Sequence, residues 1–260
     1  MNDMSQLVLI DQPSAGVTRV QLNRLEARNA LSTALRQALA HAFMTLDEDN
    51  DTRCILLTGG DRWFAAGADL KEISTLGPIG VRSLNVPKYW KAIADCSKPI
   101  IAAVAGPALG GGCELALHAD IIVAARNARF GLPESGIGIM PGGGATQRLV
   151  RAIGHYRAMK LMLTGEVISA EEAWGLGMVT ELVDDEQLGS RALEIATNVA
   201  SRPALALQFI KESVLAGADA SLSTGLMLER RCFELLFDTP DQKEGMRAFI
   251  ERRTPKFPSF

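Results

Sequence analysis

Two glutamates and a run of glycines are the residues best suited to chemistry in this 260-residue chain. The stretch ALGGGCELAL, from Ala108 to Leu117, sets Gly110, Gly111 and Gly112 just before Glu114. Glycine tolerates positive φ and lets a ligand or a second backbone approach closely. At a helix N-terminus such a loop leaves N–H groups unpaired, and the helix dipole adds partial positive charge. That end suits a phosphate, or an oxyanion that develops during a reaction. The phosphate motifs fail. No Lys-Ser/Thr pair closes the glycine run as in a P-loop, and PGGGATQRL, from Pro141, is not GxGxxG. An oxyanion site remains, or glycines packed where two backbones cross.

Glu114 falls in the first turn of the expected helix, where the dipole favours a carboxylate, so simple capping would also explain it. The second acid is Glu134, in FGLPESGIG, 20 residues further on. A helix and a returning strand between the two could bring Glu134 back beside the glycine loop. Two carboxylates facing one apolar pocket push their pKa values apart, which leaves one acid and one base. His118 stands four residues after Glu114 on the same helical face. It reads either as a support for Glu114 or as a core or interface histidine.

The elements that must position these groups follow from periodicity. Leu7–Asp11 and Val17–Leu22 read as two strands around a Pro/Ser/Gly turn. Leu31, Leu35, Leu39, Phe43 and Leu46 recur at helical spacing behind Ser32, a fitting N-cap. CILLTGG, from Cys54, is a short buried strand, and WFAAGADLKEI is a small-residue loop entering a helix. Residues 75–97 read as a loop and a helix with Trp90 and Ile93 on one side. An apolar strand from Pro99 to Ala105 leads into the glycine loop, and DIIVAARNARFGLPE reads as a strand, a turn and a second strand. Ser169 with Glu172 makes a capping box. VTELVDDEQL is a last strand and turn, and Leu188 to Arg253 is helical in pattern. Repeated strand–loop–helix units followed by helices predict an α/β fold with a helical C-terminal part.

The bulk properties narrow the function. The net charge is -3 and the pI about 5.7, with no long Lys/Arg run, which disfavours nucleic-acid binding. Cys54, Cys96, Cys113 and Cys232 form no CxxC pair and read as buried free thiols, so neither a disulfide framework nor a metal site is expected. The N-terminal stretch MNDMSQLVLIDQPSAG lacks the build of a secretory signal, and no apolar run would span a bilayer. A cytoplasmic location without membrane partners is the expectation.

ALGGGCELAL, FAAGADLKEI, ARFGLPESGIGIMPGGGATQRL and LTGEVISAEEAWGLGMVTELV, in this order, resemble the enoyl-CoA hydratase or crotonase family over essentially the whole chain. The resemblance implies a crotonase-like spiral of ββα units over residues 1–195, and a helical C-terminal trimerisation region over 196–260. It implies an acyl-CoA thioester as substrate, and a homotrimer or a dimer of trimers. Two backbone N–H groups, of Ala68 and Gly111, would form an oxyanion hole for the thioester carbonyl. Both glutamates used by hydratases are matched. Glu114 would take a proton from water, and Glu134 would hold that water and protonate the α-carbon. Gly142 matches a backbone position near the catalytic water. Arg28, Ala66, Lys71, Phe249 and Arg252 match CoA-binding positions, the last two reaching a neighbouring subunit's CoA. Departures from the family pattern fall at Glu26, Ala105, Pro107, Gly143 and Ala145.

The implied reaction is syn addition of water to a 2-trans-enoyl-CoA, giving a 3-hydroxyacyl-CoA, in fatty-acid or phenylacetate-type acyl-CoA degradation. It needs no cofactor, since coenzyme A is part of the substrate. The alternatives are a Δ3,Δ2-enoyl-CoA isomerase of the same family and a non-catalytic RNA-binding or scaffold relative.

Overall fold

The computed structural model describes residues 7–257. The reading of the N-terminus as free of a signal falls partly on residues 1–6, outside the described residues. The chain opens with β1 (Val8–Ser14), antiparallel to β2 (Val17–Leu22). β1 runs past the expected Asp11 because its pairing slips between Asp11 and Ser14, and this irregularity admits Pro13 on an edge strand. Helix α1 (Thr33–Glu48) starts as expected, with the Ser32 hydroxyl accepting from the Leu35 N–H. Then come β3 (Cys54–Thr58), the short α2 (Leu70–Ile73), α3 (Pro78–Ser83) and α4 (Pro87–Ala94). Residues 75–97 thus hold two helices rather than one, each opened by a proline in its first turn.

β4 (Ile100–Val104) is followed by β5 (Pro107–Leu109), α5 (Gly111–Ala116), β6 (Ile121–Ala125) and β7 (Arg129–Gly131). A 3-10 segment, Pro133–Ile137, leads on to α6 (Ala145–Ile153), α7 (His155–Thr164), β8 (Val167–Ser169) and α8 (Ala170–Gly175). The Ser169–Glu172 capping box is complete in both directions. β9 (Glu181–Val183) precedes α9 (Leu188–Ala200), α10 (Ala204–Ala218), α11 (Leu222–Leu236) and α12 (Pro240–Ile250).

The larger sheet has the order β1-β2-β3-β4-β6-β9, parallel from β2 onward. Alternation along its strands feeds two cores. Ile55 and Leu57 of β3 join the main core with α1 and α4, whereas Cys54 and Leu56 face Ala192 and Ala196 of α9. Residue 195 falls inside α9. The smaller sheet, β5-β7-β8, pairs Leu109 with Gly131. That pairing sets the end of β5, and so the glycine loop, beside the end of β7, and so the Glu134 turn. All four cysteines are free and buried. Among the described residues no helix is long and apolar enough to cross a membrane, and no cluster of His, Cys, Asp and Glu could hold a metal.

Candidate active site

The glycine loop is held from both sides. The Gly110 N–H donates to the Gly131 carbonyl at 2.8 Å, and Gly110 itself has φ +49°. A Cβ on Gly110 would lie 2.8 Å from Glu134 Oε1, so glycine there admits the carboxylate. A Cβ on Gly112 would lie 2.0 Å from the Ala65 carbonyl oxygen. The crossing of two backbones and the opening of a site are therefore both present, at different glycines.

Gly111 begins α5, so its N–H belongs to the unpaired first turn. Its ideal Cβ position is 3.7 Å from the Ala68 nitrogen, which brings the two expected donors together. The Ala68 strand edge is pinned by the Leu31 N–H donating to the Gly67 carbonyl at 2.7 Å. Behind it stands Asn29, fully buried, whose amide donates to the carbonyls of Gly59, Trp63 and Phe64. Its Oδ1 accepts from the Arg24 N–H.

Glu114 is 3% exposed and Glu134 8%. Glu114 Oε1 accepts from the N–H groups of Gly143, at 2.6 Å, and Ala145, at 3.1 Å. Burial pushes the Glu114 pKa up, and these donors with the Arg36 charge work against that rise. Burial also raises the Glu134 pKa, and the negative charge of Glu114 raises it further. Its Oε2 has no partner. The two acids thus sit in unlike surroundings: Glu114 has fixed donors for its anion, and Glu134 has almost none. Gly142 adds a weaker backbone contribution at Glu114, but the close donors are Gly143 and Ala145.

His118 is buried, and its ring stacks on Trp90 with centroids 5.0 Å apart. Its Nδ1 lies 2.8 Å from the Glu114 carbonyl, so that nitrogen carries the hydrogen. Burial pushes its pKa down to about 4, which leaves it neutral near pH 7. Trp90 also lies against Gly143, where a Cβ would come within 2.7 Å of the ring. His118 and Trp90 therefore wall the loop that holds Glu114.

The remaining positions are more scattered. The Arg28 guanidinium lies 4.8 Å from the Trp63 ring centre, and its carbonyl accepts from the Ala66 N–H at 3.0 Å. Lys71 is exposed near the start of α2, its N–H capped by Asp69. Phe249, 86% exposed, and Arg252, with φ +55°, close α12. Among the described residues no hydrogen bond or ion pair joins these last two to the glutamates. Sequence reasoning missed Asn29, Arg36, and the donor roles of Gly143 and Ala145. Asn29 in NRLEARNAL carries a weak signal, since asparagine is among the residues that tolerate its φ of +55°.

The enoyl-CoA hydratase/isomerase family model matches residues 12–259. The chain belongs to the enoyl-CoA hydratase/isomerase family. A probable enoyl-CoA hydratase of Mycobacterium tuberculosis is 44% identical over 238 residues, covering 92% of this chain and 93% of the relative. The 2,3-dehydroadipyl-CoA hydratase of Escherichia coli is 42% identical over 254 residues, covering 98% and 99%. The crystal structure of an enoyl-CoA hydratase from Bacillus anthracis superposes with a TM-score of 0.94 at 39% identity, covering 98% of this chain and 100% of the other. The chain has the crotonase fold, with helices in its C-terminal part.

Proposed function

We propose that this family member is an enoyl-CoA hydratase, adding water across a 2-trans-enoyl-CoA to give a 3-hydroxyacyl-CoA. The observation that carries this reading is the pair of buried glutamates in unlike environments beside two neighbouring backbone N–H groups. Water adds to an alkene conjugated to a thioester because charge moves onto the carbonyl oxygen. The Ala68 and Gly111 N–H groups receive that oxygen, and a preorganised donor there is worth about 3–4 kcal/mol. Glu114, held as the anion by Gly143 and Ala145, takes a proton from water as its oxygen bonds to C3. Glu134, the acid without fixed donors, delivers a proton to C2. Each such proton transfer contributes about 10²–10⁴-fold. A double-bond isomerase only shuttles a proton and needs no second carboxylate for water, so the pair favours hydration.

Arg28, Ala66 and Lys71 are assigned to the CoA moiety. The C-terminal helices are assigned to a homotrimer or a dimer of trimers, to which Phe249 and Arg252 contribute. The exposed apolar residues Ile210, Val214, Leu222, Phe233, Phe249 and Ile250 support that assembly. The division into a core of 1–195 and an oligomerisation region of 196–260 follows the same reading. Four free buried cysteines fit a reducing, cytoplasmic setting. The reaction takes coenzyme A as part of its substrate and calls for no metal or redox group.

The test is direct. Purified protein with crotonyl-CoA is followed by loss of enoyl absorbance and by mass spectrometry of the thioester. Gain of one water supports hydration. Inertness toward crotonyl-CoA and longer 2-enoyl thioesters, with conversion of a 3-enoyl-CoA to its 2-enoyl isomer, would show the isomerase instead.

A further inference from the structure

Glu114 stands in a closed circuit of contacts that returns to its own carboxylate. Its Oε1 accepts from the Gly143 N–H at 2.6 Å, the shorter of its two backbone bonds. Its backbone carbonyl accepts from His118 Nδ1 at 2.8 Å. The His118 ring stacks on Trp90, with the two planes 17° from parallel. Trp90 packs in turn on Gly143, whose ideal Cβ position lies 2.7 Å from the indole Cε2 and 2.8 Å from Cζ2. The same position lies 2.7 Å from Glu114 Oε2, so the indole and the carboxylate meet Gly143 on one side.

Little else fixes Gly143. The 3-10 segment ends at Ile137 and α6 begins at Ala145. Among the described residues no backbone–backbone hydrogen bond involves residues 140–143. The Ala145 N–H is different, since it belongs to the first turn of α6. A donor serves an anion best when it is held in place beforehand, and in a buried site an N–H that swings away is not replaced by water. The two rings supply that hold. Trp90 is buried on α4, and His118 is buried just beyond α5 and tied to Glu114 itself.

We propose that Trp90 and His118 are positioning residues for the reaction: as a stacked pair they keep the Gly143 N–H on the Glu114 carboxylate, so that the base is held ready as the anion. The proposal rests on the reading of Glu114 as the base for its effect on rate, but not for its geometry. Other charged or titratable groups also face the circuit. Arg36 of α1, Glu134 of the 3-10 segment and Cys113 stand near Glu114, and Arg148 of α6 stands near His118. Tyr89 of α4, with Asp69 and Glu72, acts on Arg36. His118 is neutral near pH 7, so replacing it removes no charge there.

The experiment titrates Glu114 in the full chain by infrared difference spectroscopy of the carboxyl C=O stretch, with Glu114→Gln identifying its band. The variants are Trp90→Leu and His118→Leu, and circular dichroism checks their fold. Ile93→Ala is the control, because it deletes a buried side chain of α4 that is no part of the circuit. The pH profile of kcat/KM on crotonyl-CoA and the affinity for butyryl-CoA, a saturated thioester, are measured alongside. Fixed donors favour the anion, so loosening one raises the pH at which Glu114 ionises. Both leucine variants should move the Glu114 titration and the acid limb of the profile upward by about one pH unit, the worth of a hydrogen bond to a charged group. Affinity for butyryl-CoA at high pH should stay within a few fold, and Ile93→Ala should leave the titration in place. If Trp90→Leu does not fold, His118→Leu decides the matter. A titration that does not move, or that falls as water reaches the carboxylate, would overturn the proposal. So would an equal rise in Ile93→Ala, which would show general loosening of the helix. If the wild type hydrates no thioester, the hydratase reading fails while the infrared titration still decides the positioning.

Discussion

Replacing Gly112 by alanine sets a Cβ 2.0 Å from the Ala65 carbonyl oxygen and 2.9 Å from the Ala65 Cβ. Neither neighbour can yield easily. The Ala65 oxygen already accepts from the Leu109 N–H at 3.0 Å, and the Ala65 N–H donates to the Pro107 carbonyl at 3.1 Å. Relief must come from moving the strand that leads into Ala68 or the helix start that carries Gly111. Forced overpacking of this kind costs about 1–3 kcal/mol. For a chain of this length that is a fall in Tm of about 2–12 °C. The same shift separates the two N–H groups, and loss of one such donor lowers the rate by about 10²–10³-fold. Thermal unfolding by circular dichroism and crotonyl-CoA hydration read the two effects separately. Gly175→Ala is the control. Nothing lies within 4 Å of its added Cβ, so it should leave the rate alone and hold Tm or raise it, with a stability gain of up to about 0.4–1 kcal/mol. A Gly112→Ala protein with wild-type Tm and wild-type rate would refute the close crossing and its link to the donors.

Other substitutions probe the supports. The pKa of His118 is depressed from 6.5 to about 4 in the folded chain, so the unfolded chain binds more protons between those values. Its stabilisation is full above pH 6.5 and is lost as pH falls toward 4, about 3 kcal/mol in all. His118→Gln should therefore flatten the acid side of the stability curve from urea unfolding at pH 7 and pH 4.5. Glu114 and Glu134, with raised values, act in the opposite sense in both proteins. A variant curve parallel to the wild type would contradict the buried neutral histidine. Asn29→Ala strips three carbonyls of a buried donor and should cost about 3 kcal/mol or more in urea unfolding. Ser169→Ala breaks the capping box of α8 and should cost about 0.5–2 kcal/mol with an unchanged rate.

Features that depend on neighbours in sequence were legible there. Ser32 and Ser169 cap helices as their spacing requires, because a cap involves residues three apart. The glycines before Glu114 announced a helix end built for close approach. Features that depend on two distant segments meeting were not. β5 and β8 are three residues each, too short for a period to show, and exist through pairing with β7. Gly143 and Ala145 are separated from Glu114 by 29 and 31 residues, so nothing local marks their N–H groups as its donors. Arg36 was hidden because its charge reaches Glu114 from a distant part of the sequence, and nothing in the periodicity of α1 marks that approach. The family pattern supplied Ala68 and Gly111 as the expected oxyanion donors, and the geometry shows that their backbones lie together.

The central claim is that two glutamates in unlike surroundings divide the work of hydration. Its most direct test is the rate of crotonyl-CoA hydration by Glu114→Gln and Glu134→Gln, with thioester affinity measured on the same samples. Each amide keeps the shape of its side chain and removes its proton transfer. Both variants should lose about 10²–10⁴-fold in kcat while binding the thioester within a few fold of the wild type. A variant of either glutamate that keeps its kcat within about threefold of wild type would show that this carboxylate carries no proton in the reaction, and would contradict the account.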